Sequence, residues 1–245
     1  MPVATEKLRH PPVVEAVCEF RFARGVSYSL VPGAIAERLR HQFPKHEVLP
    51  AASFMAAIPD EVPIPSVPHH RFRSDSPNAL IQTGPRLLTI NVLPVYPGFE
   101  VFRQMILNVL EHYRIVANPG SPTRVGLRYI NFIRSAQERD ALSSYLKCSF
   151  GYPSELPQPP RETAARLLLG YGESGTLGLS VAYPSRIGEG EQGTLLDLDF
   201  FWNGPSEFPL DEFQAWLGEA HKIIYAAFIS TVREEIMTKF RGVRE

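Results

Sequence analysis

The strongest constraint on the fold is a two-residue alternation of apolar and polar side chains in three separate segments, residues 13–23, 124–134 and 194–202. A period of two is typical of a β-strand with one buried face and one polar face. Such half-buried strands occur in antiparallel sheets, whereas the strands of parallel sheets are apolar on both faces. The alternation therefore predicts a largely antiparallel sheet with one solvated face.

Other segments predict helices and shorter strands. Apolar residues recur at three- and four-residue spacing, as in helices, in residues 30–43, 98–114 and 210–240. The last of these would reach about 45 Å at 1.5 Å per residue. The remaining predicted elements are a strand at residues 86–94, a hairpin of residues 164–171 and 177–183, and a short, poor helix at residues 137–146.

The order of these elements predicts an α+β fold, because strands are grouped before each long helix. We expect two similar strand-helix-strands-helix halves, residues 1–118 and 119–245, integrated into one domain of 245 residues. The halves would form one largely antiparallel sheet with the helices on one face. A long C-terminal helix would close the second half. Residues 137–146 are the weak point, since they are the candidate for the first helix of that half.

The charge balance limits the partners of the chain. The sequence holds 25 Lys and Arg against 26 Asp and Glu, a net charge of −1, which excludes a general attraction to nucleic acid or to anionic lipid. Its two cysteines make no disulfide framework and have no metal-binding spacing. The start has no apolar signal core, and the longest apolar stretch, residues 51–59, is too short for a membrane span. These features predict a cytoplasmic protein.

Sequence motifs assign no catalytic residue, cofactor or metal. Residues 170–175 spell GxGxxG, but a predicted strand follows them, whereas a dinucleotide site needs a helix there. A glycine-rich hairpin turn is the better interpretation. The seven histidines lack the spacing of a zinc site.

The polar faces of the three alternating strands are the main functional signal. Each face carries charged residues, namely Glu15, Glu19 and Arg21 on the first strand, Arg124, Arg128 and Arg134 on the second, and Asp197 and Asp199 on the third. One interpretation is a set of cross-strand ion pairs, each of which stabilises a sheet by roughly 0.2–1 kcal/mol. The other is a charged surface that binds a ligand or a partner.

Two features of the last predicted helix leave alternatives open. His221 lies near its apolar stripe and has either a structural hydrogen bond or a binding role. Val232, Ile236 and Phe240 form a short apolar seam at four-residue spacing. That seam either docks on the same chain or forms a homodimer or partner interface.

Three blocks resemble an uncharacterised, patchily distributed prokaryotic family of about this length. They are PPVVEAVCEFRF at residues 11–22, VGLRYIN at 125–131, and LLDLDF at 195–200 followed by His221 and Phe228. The resemblance implies a cytoplasmic protein of unknown function whose occurrence suggests mobile-element or defence-linked gene neighbourhoods. It provides no catalytic residue.

Our first hypothesis is a non-enzymatic binding or regulatory protein that uses the charged sheet face for an unknown protein or small molecule. The alternative is an enzyme acting on a phosphorylated small molecule or nucleotide. In it, Arg124 and Arg128 would hold phosphate, and a metal ion would be held by Glu15, Glu19, Asp197 or Asp199. The third is an RNA or single-strand binder. The polar face lacks the aromatic pattern of RNA-binding sheets, which argues against nucleic acid.

Overall fold

The computed structural model describes residues 6–23, 25, 29–49, 69–135, 142–148, 161–187, 190–204 and 206–242. Within them lie nine strands and four helices. The strands are β1 (Val13–Phe22), β2 (Lys45–Leu49), β3 (His69–Asp75), β4 (Asn78–Gly84), β5 (Leu87–Val92), β6 (Pro122–Arg134), β7 (Thr163–Gly170), β8 (Thr176–Ile187) and β9 (Glu191–Asn203). The helices are α1 (Val31–Leu39), α2 (Phe99–Ala117), α3 (Phe213–Thr231) and α4 (Glu234–Arg241).

The nine strands form one sheet in the order β2-β3-β4-β5-β1-β6-β9-β8-β7. The pairs β2–β3, β3–β4, β4–β5, β7–β8 and β8–β9 are antiparallel. The predicted α+β class and antiparallel sheet are therefore confirmed. The three alternating segments all form strands, and the predicted hairpin is β7–β8.

The chain divides into two compact units, and neither unit is continuous in sequence. The N-terminal unit comprises residues 17–126 and 202–215, and the C-terminal unit comprises residues 1–16, 127–201 and 216–245. The boundary passes through β1, β6 and β9, so the same strands contribute to both units.

The N-terminal unit has a core of aromatic and aliphatic residues from the meander β2–β5 and from α2. Phe72, Ile81 and Ile90 lie opposite one another on three adjacent strands and are fully buried. The buried residues of α2 recur every three or four positions and include Tyr113, whose ring stacks on Phe22 at 5.7 Å. The predicted helix at 98–114 is confirmed. Strands β2, β3 and β4 were not predicted.

In the C-terminal unit, α3 packs against β9 and the β7–β8 turn. Leu198 and Phe200 are fully buried, and the ring of Phe200 lies 5.8 Å from that of Trp216. The Trp216 indole donates a hydrogen bond of 2.9 Å to the carbonyl of Ser174, in the β7–β8 turn. In that turn, Gly175 has φ +138° and lies too close to the Phe201 carbonyl for a side chain, so the glycine-rich motif serves the hairpin.

The predicted single helix over residues 210–240 is wrong. Helix α3 ends at Thr231, and α4 begins at Glu234 after an extended residue, Arg233. The break occurs because the main chain here pairs with a distant segment: the Lys147 amide donates to Thr231 and the Arg233 amide donates to the carbonyl of Tyr145. Glutamates begin α4 and basic residues end it, which suits the dipole of a separate helix.

None of the helices in the described part of the chain combines the length and apolar character that crossing a bilayer requires. The poor helix candidate at residues 137–146 lies partly outside the described residues. Its described part contains a short 3₁₀ turn, Leu142–Ser144.

Candidate functional site

One charged cluster lies in the N-terminal unit and is centred on Glu19 of β1. Its carboxylate accepts a hydrogen bond of 2.8 Å from Arg21 Nε and a second from Arg124 of β6. The Arg124 guanidinium lies over Gly126, where a Cβ atom would come within 2.8 Å of it. The Glu19 carboxylate therefore binds two guanidinium groups, and its bond to Arg124 links β1 to β6.

The residue before Glu19 marks the opposite, buried face of β1. Cys18 is fully buried, and burial, helped by the charge of Glu19, raises the pKa of its thiol well above the ordinary value. A thiol of this kind stays protonated and behaves as a small apolar side chain. The alternation predicted for β1 therefore separates a buried face from a charged one.

A second charged cluster lies in the C-terminal unit and is centred on Arg128 of β6. Its Nε and Nη2 atoms donate to the two carboxylate oxygens of Asp197 at 2.8 and 2.6 Å. Such a bidentate pair is among the stronger and more directional hydrogen-bonded contacts in proteins. The Asp197 side chain is 15 % exposed and that of Arg128 33 %, so the pair is partly shielded but open on one side.

Three carboxylates influence this one guanidinium. Burial lowers the pKa of Arg128, but the hydrogen bond and charge of Asp197, together with the charges of Asp199 and Glu15, outweigh it and raise the pKa above the ordinary value. Arg128 therefore remains a cation. Negative charge exceeds positive charge around it.

A depression of about 350 Å³ opens beside Asp197, over β7, β8 and β9. This volume lies within the range of roughly 300–1,000 Å³ that is usual for small-molecule sites. Arg166, Ser180 and Asp197 line it and lie opposite one another on the three adjacent strands. Opposite residues share a face of the sheet, so these three side chains lie in line, and Arg128 continues the line through its hydrogen bonds to Asp197. We name these four residues on four strands the polar row.

The rest of the lining is small or aliphatic. It consists of Ala164, Ala165, Val181, Ala182 and Leu195. Short alanine side chains between longer neighbours leave the space that forms the depression. The depression therefore combines these small and aliphatic side chains with the polar row, which places the Arg166 cation on one side and the Asp197 carboxylate on the other.

The polar row lies on the side of β9 away from the core. Leu196 and Leu198, the sequence neighbours of Asp197, have no exposed surface. Alternation along the strand therefore directs Asp197 and Asp199 away from the buried leucines, as predicted.

The structure groups the predicted site residues into these two clusters, with exceptions. Arg134 pairs with Glu191 at 2.9 Å, where both side chains are more than half exposed, and exposed pairs contribute little to stability. His221 lies beside Tyr129, with ring centres 6.0 Å apart. A surface common to the two clusters stays a prediction.

The predicted C-terminal interface residues have contacts within the chain. Val232 is fully buried and forms an isolated bridge with Leu146, and the Phe240 ring lies 6.1 Å from that of Phe228. Ile236 is half-buried. An interface at these three residues stays a prediction.

Sequence reasoning missed Arg166 and Ser180. The available signal was the hairpin: if Tyr171 faces Gly175, counting back along both strands places Arg166 opposite Ser180. Alternation alone did not reveal this, because residues 163–170 are largely exposed and show no apolar face.

Among the described residues, no group of three or more His, Cys, Asp and Glu side chains is arranged to hold a metal ion. Comparison of the sequence with protein-family models gives no match, and comparison with curated proteins finds no similar one.

Proposed function

We propose that the chain is a non-enzymatic binding protein and that the depression over β7–β9 receives a ligand or a partner's side chain. The observation that supports this most is the combination of an open depression with the polar row along its floor. Ion pairs that only stabilise the sheet need no adjacent cavity. The alanines of the lining, by contrast, leave room for a guest group.

The charges of the site favour a guest that carries a basic group. Glu15, Asp197 and Asp199 provide three negative charges around Arg128, and Arg166 provides the cation at the other end of the depression. A guest with an amine or guanidinium near Asp197 and a carboxylate near Arg166 would complement both ends. A small zwitterion or a short basic peptide has this chemistry.

The phosphate-binding enzyme stays an alternative prediction. It relied on Arg124 and Arg128 to hold phosphate, and each of these guanidinium groups is hydrogen-bonded to a carboxylate. A phosphate would have to displace Glu19 or Asp197. This favours the binding proposal.

We also propose that residues 1–118 and 119–245 are related halves. The support is the strand order, in which the first strand of each half adjoins the last strand of the same half: β1 adjoins β5, and β6 adjoins β9. The cytoplasmic location and the resemblance to an uncharacterised prokaryotic family stay predictions.

The experiment is a titration of the purified protein with two matched probes, the dipeptides Ala-Arg and Ala-Glu, followed by thermal unfolding. Ala-Arg is expected to raise the unfolding midpoint, because a ligand at about 100 times its Kd stabilises the native state by about 2.7 kcal/mol. Ala-Glu carries the same amine and terminal carboxylate but an anionic side chain in place of the guanidinium. We expect it to have a much smaller effect, because Glu15, Asp197 and Asp199 would repel that side chain.

Two variants test the site, and a third is the control. Ala182→Trp fills the depression, and Asp197→Asn removes a carboxylate but keeps its shape, so both should abolish the response to Ala-Arg. Ile187→Trp adds the same ring to the same strand outside the depression and should respond like the unmutated protein. A response that survives in Ala182→Trp, or no response to Ala-Arg in any form, would contradict the proposal.

A further inference from the structure

The polar row has one neutral member, and it lies between two charged ones. In strand order the row runs Arg128, Asp197, Ser180 and Arg166. Arg128 and Asp197 pair as opposite charges, and Ser180 then separates the Asp197 carboxylate from the Arg166 guanidinium. The serine side chain is short, and the depression opens at this place. A guest with one positive and one negative charge would continue the alternation of charge along the row.

The distance between the two charged ends matches a compact zwitterion. Arg166 and Asp197 lie two strands apart, so their main chains are separated by about 9.6 Å. In an α-amino acid, the amine nitrogen and the carboxylate carbon are about 2.5 Å apart. Together with one charged hydrogen bond of about 2.8 Å at each end, that zwitterion spans about 8 Å. A dipeptide adds about 3.5 Å, so its two ends match the spacing less closely.

Carboxylates outnumber guanidinium groups beside Asp197. Arg128 donates to both oxygens of Asp197, and the charges of Asp199 and Glu15 act on the same guanidinium. Three negative charges against one positive charge favour an added cation here. Each carboxylate oxygen has a second lone pair, so Asp197 can accept a hydrogen bond from an ammonium group and keep its bonds to Arg128.

We infer that the depression binds a free α-amino acid with an apolar side chain. Its ammonium group lies at Asp197, and its carboxylate accepts hydrogen bonds from the Ser180 hydroxyl and the Arg166 guanidinium. The inference rests on the proposed function, because it specifies the guest of the same depression. Of the two guest classes that the proposed function allows, it selects the small zwitterion and defines the side chain that this zwitterion carries.

The side chain of the guest lies over an apolar row next to the polar row. Ala164, Ala182 and Leu195 lie opposite one another on β7, β8 and β9 and line the depression. They are two positions along each strand from the polar row, so they share its face at a distance of about 6.8 Å. The two alanines leave space for an isobutyl or benzyl group, and this row carries no charge.

The row on the other side of the polar row is less favourable for an apolar group. Leu168, Gly178 and Asp199 lie opposite one another there. A Cβ atom added to Gly178 would have Leu168 Cδ2 at 3.6 Å and Asp199 Cβ at 3.9 Å. Leu168 therefore already covers the glycine, and a carboxylate borders it. These contacts direct the side chain of the guest toward the alanines.

The first test compares ligands by calorimetric titration of the unmutated protein. The probe is L-leucine, and its analogues leucinamide and isocaproate lack the carboxylate and the ammonium group, respectively. We expect each analogue to bind at least about tenfold more weakly, because each leaves one end of the site without its partner. L-Lysine should also bind more weakly, since its charged side chain would lose water over the alanines. Equal affinity for leucine and either analogue, or tighter binding of lysine, would overturn the inference.

The second test uses two variants that differ in one group at Ser180. Threonine keeps the hydroxyl, whereas valine has nearly the same shape with a methyl group in its place. We expect Ser180→Val to bind leucine about tenfold more weakly than Ser180→Thr, because it lacks a hydrogen bond to a charged group. Circular dichroism checks that both variants fold. Equal Kd values for the two variants would contradict the position of the carboxylate.

The third test fills the apolar row. Ala164→Leu should weaken leucine binding at least about tenfold and glycine binding much less, because glycine has no side chain to displace. Ala23→Leu is the control, since it adds the same side chain at an exposed position of the N-terminal unit, and it should bind leucine like the unmutated protein. Equal weakening of leucine and glycine in Ala164→Leu would overturn the role of the apolar row.

The outcomes separate this inference from the proposed function. Binding of Ala-Arg without binding of leucine would overturn the inference and leave the proposed function standing. Binding of neither ligand would overturn both. Leucine binding that survives in Ala182→Trp would place the amino acid outside the depression and would overturn the inference.

Discussion

The two terminal strands of the sheet, β2 and β7, are built on opposite principles. Strand β2 carries Lys45, His46 and Glu47 within its five residues. Lys45 pairs with Asp75 at 2.6 Å, and Glu47 pairs with Arg71 at 3.7 Å. Strand β7 instead has three consecutive exposed leucines. The charged strand matches the usual protection of a sheet edge, whereas Arg166 is the one charged residue that the described structure shows on β7.

The difference teaches that exposure alone does not identify an interaction surface. Both strands are largely exposed, but desolvating the charges of β2 would cost free energy that its main-chain hydrogen bonds do not recover. Burying the leucines of β7 is favourable by about 25 cal/mol per Å² of apolar surface. The chemistry of the edge therefore separates a strand that resists pairing from one that favours it.

The largest expected effect distinguishes the two sides of β7 itself. The Tyr171 amide donates to the Gly175 carbonyl at 2.8 Å, so the amides of odd-numbered residues of β7 face β8. Leu167→Pro removes one of these amides and should lower the free energy of unfolding by about 3 kcal/mol, since it breaks a sheet hydrogen bond and strains the strand. Leu168→Pro, the control, should lower it by less than about 1 kcal/mol. Urea unfolding of dilute monomer measures both. Equal losses would mean that the assigned main-chain directions are wrong.

A smaller effect is expected when β2 is made to resemble β7. The double variant Lys45→Val and Glu47→Val removes both ion pairs and leaves an apolar edge. We expect new concentration-dependent self-association in analytical ultracentrifugation, of at least about tenfold in the association constant. Both terminal strands of the sheet would then present an apolar edge.

The control for β2 removes the same charges elsewhere. Glu37 of α1 and Arg40, which directly follows that helix, form an exposed ion pair at 3.4 Å. Changing both to alanine leaves the net charge as in the β2 variant. This control should stay in the association state of the unmutated protein. If it associates equally, charge removal in general, rather than the sheet edge, controls association.

The sequence predicted the elements whose pattern is local. Strands β1, β6 and β9 alternate over nine or more residues, and α2 has a complete apolar stripe, so each could be identified alone. Strand β2 could not, because a short, exposed and charged strand has no apolar face. Its strand character depends on pairing with β3, which is remote in sequence.

The parts that required three-dimensional information depend on contacts between distant residues. The break between α3 and α4 follows from main-chain pairing with residues 145–147, and no proline or glycine marks it in the sequence. Arg128 and Asp197 were both candidates, but their bidentate geometry depends on β6 adjoining β9. The depression depends on the register of three strands, which alternation does not fix.

The smallest expected effect is a pH dependence of the charged edge. His46 Nε2 of β2 lies 2.8 Å from His70 Nδ1 of β3, and the His46 ring also stacks on Phe72 at 4.6 Å. Burial lowers the pKa of His70 below its ordinary value of 6.5, and the charges of His46 and His69 lower it further. A hydrogen bond between two imidazoles needs one unprotonated acceptor nitrogen, so it is lost when both rings are charged.

The sign follows from comparing the folded and unfolded chains. As pH falls through about 6.5, His70 takes up a proton in the unfolded chain before it does so in the folded one, so the unfolded state is favoured. The contribution of His70 to the stability of the folded state is therefore complete above that pH. It declines as the pH falls further, until the pH is below the lowered pKa of His70 in the folded state. Lys45 hydrogen-bonds Asp75 and holds the pKa of that carboxyl below 3.8, so that group adds no change in this range.

We therefore expect the urea concentration at half-unfolding to decrease as the pH is lowered from about 7.5 to about 5.5. The decrease should be smaller in His70→Asn, whose amide does not titrate. Hydrogen exchange should show the loss at the amides of β2 and β3 and leave β7 and β8 unchanged, because no histidine lies on those two strands. The same decline in His70→Asn as in the unmutated protein would assign the pH dependence to another group. An equal loss of amide protection at β7 would mean that acid weakens both terminal strands to the same extent. The two strands would then not differ in their response to pH.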